Sequence, residues 1–165
     1  MFEEISGLPM HPLLVHAAVV FVPLLAVVSV VYAVVPKVRP HTRWVLGALA
    51  VITPGAALFA KLSGDAFYER LNSRGAISAE FFGRLQAHAD FGTYTLYATL
   101  VLALVAIGLV LFVPPPGGVA VGGGTAGGKV LPLALSGLSV VLAIVAVYYV
   151  VRTGDSGAKA VWEGQ

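Results

Sequence analysis

The chain contains no cysteine. That excludes disulfides, thiolate metal sites, iron–sulfur ligation and covalent c-type haem attachment. Charge is scarce too. Asp, Glu, Lys and Arg make up 11% of the 165 residues, against about 25% in a soluble domain. The net charge is +2 and no RNA- or DNA-binding motif is present, so no nucleic-acid partner is expected. No basic region opens the chain: Met1-Phe2-Glu3-Glu4 is acidic. A secretory signal begins with a basic region, so the first apolar segment reads as a retained span. What the chain does have is apolar surface. It is 58% hydrophobic with a mean hydropathy of +0.91, which a lipid bilayer accommodates and water does not.

Four segments are long and apolar enough to cross a membrane, a task that takes about 20 residues as a helix. They run roughly over 13–35, 42–62, 88–113 and 129–152. Prolines punctuate them: Pro36 stops the first, and Pro114-Pro115-Pro116 stop the third. Thr42 is placed to cap the second, and Pro54 to kink it. The expected fold is all-α, one domain, an up-down-up-down four-helix transmembrane bundle. Residues 114–128 are rich in Pro and Gly and read as a flexible linker. The 64–87 connection alternates aromatics with charges, which suggests short interfacial helices.

Four spans put both termini on one side. That side holds all eight acids, and the other holds Lys37, Arg39, Arg43 and Lys129. The compact basic loop 36–43 places the second side in the cytoplasm, because short loops near span ends dominate orientation. A simple count of basic residues points the other way. The expectation is a multi-pass protein of a bacterial cytoplasmic membrane, with its termini outside.

This topology gathers residues that are far apart in sequence. His11 and His16 lie at the start of the first helix and His88 at the start of the third. Asp65 and Asp155 follow the second and fourth, all at one face. His41 lies at the opposite face. Ionisable groups at a bilayer edge are functional candidates by default. His11 and His16 are five residues apart, so on a helix they point about 140° apart. His11-Pro12 fits a pre-helical cap, and His16 sits one turn inside, next to the small Ala17 and Ala18.

The sharpest reading is a b-type haem with His16 and His88 as axial ligands, since imidazole is a standard haem ligand and bundle cores build such sites. His11 lies at its rim, and Arg84, Arg152 and Lys61 are candidates for the propionates. A second reading is a non-haem metal site from His11, His16, His88, Asp65 and Asp90. A third is a non-catalytic accessory subunit whose histidines only cap helices and fix packing. A transporter or channel is disfavoured because no span carries mid-membrane charge. Ser156 lacks the Gly-x-Ser-x-Gly context of a hydrolase.

Leu8-Pro9-Met10-His11-Pro12-Leu13-Leu14-Val15-His16, with Pro23 beyond, resembles the opening signature of the domain of unknown function 2231 (DUF2231) membrane proteins. Ser63-Gly64-Asp65, His88 and the stretch Thr153-Gly154-Asp155-Ser156-Gly157-Ala158-Lys159-Ala160-Val161-Trp162 resemble that family's later motifs. Family members often carry a histidine where this chain has Asp155. The resemblance implies four transmembrane helices and no established activity. Some relatives are fused to Rieske-type or cytochrome-like domains, which implies a redox setting. A quinol or a cytochrome- or Rieske-type partner is expected beside the lipid bilayer itself.

Overall fold

The computed structural model describes residues 4–5, 8–73, 75, 78–119, 128 and 130–162. Four long helices dominate it: α1 (Met10–Val34), α2 (Arg39–Ser73), α3 (Ala79–Phe112) and α4 (Val130–Trp162). Two short strands, β1 (Glu4–Ile5) and β2 (Leu8–Pro9), pair antiparallel ahead of α1. All four helices are long and apolar enough to cross a membrane. The protein is therefore a multi-pass membrane protein.

The helices form a ring. α1 packs on α2 and α4, and α3 packs on the same two, so α1 and α3 face each other across a diagonal with little contact. The core is built from small side chains such as Ala26, Ala50, Ala103 and Ala146. Lipid cannot drive helices together by the hydrophobic effect, so close approach of small residues holds such bundles. The outer faces expose Val20, Val51, Leu104 and Ile144, as lipid contact requires.

The helices outrun the spans expected from hydropathy. α2 starts at Arg39 and continues to Ser73. Thr42 is thus inside it, and its hydroxyl bonds the Val38 carbonyl instead of capping. Among the described residues between 64 and 87, the helical ones belong to α2 and α3 and not to separate interfacial helices. The alternating charges there pair along the helices, Lys61 with Asp65 and Glu80 with Arg84. Such i,i+4 pairs support helix beyond the bilayer. α2 also runs unbroken through Pro54. Ser78 caps α3, its hydroxyl accepting from the Phe81 N–H. At the opposite end a 3-10 turn at Pro36–Val38 joins α1 to α2. There Arg39 donates to the carbonyls of Tyr32 and Ala33, closing the end of α1. Of the expected linker, residues 120–127 lie outside those described, as does Lys129.

The two hairpins, α1–α2 and α3–α4, are equivalent in register. A shift of 77 residues carries His11 onto His88. It also carries buried Ala18, Val22, Leu25, Ala26, Ser29 and Tyr32 onto buried Thr95, Thr99, Leu102, Ala103, Ala106 and Leu109. A shift of 93 carries buried Leu46, Ala50, Thr53 and Ala57 onto buried Ser139, Ala143, Ala146 and Val150. The two shifts differ because the α3–α4 connection is the longer one. With α1 packed on α4 as α2 packs on α3, the bundle has an approximate two-fold axis along its length, a parallel repeat.

Candidate two-histidine site

His11 stands in the first turn of α1, followed by Pro12, whose fixed φ suits a helix start. Its ring reaches α2. Nδ1 lies 3.1 Å from the Ala60 carbonyl and 3.1 Å from Ser63 Oγ. The buried Ser63 hydroxyl donates to the same carbonyl at 2.9 Å. Gly64 makes room: a Cβ there would stand 3.0 Å from His11 Cε1. Phe67, one turn further on, stacks on the ring with centroids 6.5 Å apart.

His88 repeats this arrangement on the other hairpin. Its Nδ1 lies 3.0 Å from the Thr153 carbonyl and 3.2 Å from Ser156 Oγ on α4. Ser156 donates to Thr153 O at 3.0 Å. A Cβ at Gly157 would stand 2.9 Å from His88 Cε1. Below it, the Thr95 and Thr153 hydroxyls bond at 2.8 Å. The repeated unit is thus a histidine from one helix, set on a Ser-Gly step of its hairpin partner.

A carbonyl can only accept, so Nδ1 is the protonated nitrogen of each neutral ring. Nε2 then carries the lone pair, and no described residue bonds it. A carbonyl behind Nδ1 is also what orients a ligating histidine and raises its basicity. The two rings meet edge to face near the two-fold axis, with centroids 6.0 Å apart and planes at 75°. Both are partly buried. The level is where charge begins on α2, α3 and α4, with Lys61, Asp90 and Arg152 nearby in sequence, so the site lies at the edge of the bilayer.

The other candidates fall elsewhere. His16 is exposed, and its Nδ1 bonds the Pro12 carbonyl of its own helix. The structure brings His11, not His16, to His88. Asp65 is bound to Lys61 at 2.6 Å. Asp90 is exposed and accepts from Gln86. Asp155 pairs with Lys159 at 2.9 Å and is about half exposed. Arg84 pairs with Glu80, and Arg152 lies over the Phe91 ring, 4.8 Å from its centroid. His41 is exposed in the first turn of α2, at the far end. Among the described residues, no three His, Asp or Glu side chains converge as a metal site.

The residues that a reading of the sequence passes over are Ser63, Ser156, Gly64 and Gly157 as partners of the imidazoles. The chain has four Ser-Gly pairs, and the two that serve the imidazoles are those near the far ends of α2 and α4, each three residues after the carbonyl that holds the ring.

No curated protein and no solved structure matches the chain. A family model described as "Predicted membrane protein (DUF2231)" matches residues 7–165. With its opening histidine, its two Ser-Gly steps and its four spans inside that match, the chain belongs to the DUF2231 family of membrane proteins.

Proposed function

We propose that the protein binds one b-type haem between His11 and His88 and carries electrons at the membrane face. The observation behind this reading is the pair of inward imidazoles, each held through Nδ1–H by a carbonyl with Nε2 left free. Donor number favours haem over a bare ion. Zinc takes at least three protein ligands, whereas haem supplies four nitrogens and asks the protein for one or two. A haem held by His11 and His88 would supply one-electron transfer. A quinol in the bilayer, or a cytochrome or Rieske-type domain docked at the histidine end, is the partner this reading calls for. The basic 36–43 loop supports an orientation with that end outside a bacterial cytoplasmic membrane.

The test is purification in detergent after expression with ample haem, followed by reduced-minus-oxidised spectra and pyridine haemochrome analysis. One haem per chain, lost in His11→Ala and in His88→Ala, supports the reading. Haem-free wild-type protein would sink it.

A further inference from the structure

Threonines in a helix usually return the hydroxyl to the carbonyl four residues back. Thr42, Thr93, Thr95 and Thr153 all do so here. Thr53 and Thr99 do not. Both are fully buried, and neither hydroxyl has a partner among the described residues. An unsatisfied buried hydroxyl is destabilising, and in native proteins an ordered water normally answers it.

Their placement puts them at one depth of the bundle, on neighbouring helices. Thr53 lies 10 residues along α2 from Ser63, and Thr99 lies 11 residues along α3 from His88. At 1.5 Å per residue, both are about 15 Å below the histidine pair. α2 and α3 are packed neighbours. Pro54 adds a third polar atom, because it has no N–H to give the Ala50 carbonyl, and Ala50 is on the buried face. Above them the bonded Thr95 and Thr153 hydroxyls lead up to His88. His88, Thr95 and Thr99 are spaced i, i+7, i+11, one face of α3.

The repeat supplies an internal control. On the opposite seam, α4–α1, the equivalent positions are Ala146, Val22 and Ala18. At those three positions that seam carries no hydroxyl; the buried Ser29 of α1, whose hydroxyl also has no partner among the described residues, and Ser139 of α4 lie deeper, beyond Leu25 and Leu102. Below both seams, Leu25 and Leu102 occupy equivalent positions, each with no exposed surface, and close the core.

We propose that the α2–α3 seam holds buried water, running from the histidine pair to Thr53 and Thr99 and ending at Leu25 and Leu102. The water satisfies the two hydroxyls and the Ala50 carbonyl. It makes the histidine site open to proton exchange from inside the bilayer on one side only. This water needs no cofactor to hold it.

The experiment is water-to-protein magnetisation transfer by solid-state NMR on the isotope-labelled full chain, without added cofactor, in lipid vesicles. Transfer to the Thr53 and Thr99 side chains should build up several-fold faster than transfer to Val22 and Ala146. The isosteric Thr99→Val should then slow transfer at Thr53 as well. Thr53 and Thr99 as dry as Val22 and Ala146 would overturn the proposal, and so would wet Thr53 unchanged by Thr99→Val.

Discussion

His11 and His88 belong to helices that barely touch, yet their rings meet at 6.0 Å. They do so because neither ring leans on its own helix. Each crosses to its hairpin partner, α2 or α4, where a glycine lets it lie against the backbone. The meeting point is therefore set by four helices at once.

Exchange of His16 for His11 in the site changes which substitutions matter. His11→Ala and His88→Ala are each expected to abolish haem binding. His16→Ala should retain it, because that ring bonds its own helix on an exposed face. Its effect on stability should stay within about 0.5 kcal/mol. Haemochrome yield and detergent unfolding of the three variants, side by side, check this.

Gly64→Ala and Gly157→Ala should both damage the site. Alanine improves helix propensity by up to about 1 kcal/mol. The new methyl, however, would sit 3.0 Å or 2.9 Å from a ring carbon. Displacing a packed ring costs about 1–3 kcal/mol and pulls Nδ1 off its carbonyl. Gly47→Ala, with nothing within 4 Å, serves as the control and should be neutral or stabilising. Unfolding midpoints separate the three.

Ser63→Ala and Ser156→Ala should behave as a matched pair. Each removes one hydroxyl contact to Nδ1 and leaves the carbonyl bond in place. The expected cost is about 0.5–1.5 kcal/mol apiece, equal for the two within error, and additive in the double variant only if the two rings do not couple. A double-mutant cycle measures that coupling.

At the other end, Tyr32→Phe should cost about 1–3 kcal/mol, because the buried hydroxyl donates to the Val113 carbonyl at 2.8 Å and the carbonyl would lose its partner. Haem content should not change. A variant that lost haem there would mean that the two ends of the bundle are coupled.

Much of this architecture was legible from residue patterns alone. Runs of apolar residues and prolines such as Pro36 and Pro114 mark the spans, because the bilayer fixes their length. Topology then brings the starts of α1 and α3 to one face. Helix ends were less legible, since pairs such as Lys61–Asp65 and Glu80–Arg84 continue the helix past the apolar run. The histidine that meets His88 is not legible from depth in the span, for a geometric reason. His16 is one turn deeper in the span, but facing is decided by rotation about the axis, and rotation turns His16 outward. The repeat is faint in the sequence because few positions keep their identity: His11 and His88, Leu25 and Leu102, and the Ser63-Gly64 and Ser156-Gly157 steps match, but Val22 answers Thr99 and Thr53 answers Ala146.

Joining two equivalent hairpins in one chain has a consequence for how such a protein can change. In a homodimer of hairpins, every substitution would be made twice, and a hydroxyl on one seam would have its copy on the other. Here the halves are written separately. One seam can be wet while its twin stays dry, and two like histidines can share an axis inside an otherwise lopsided bundle.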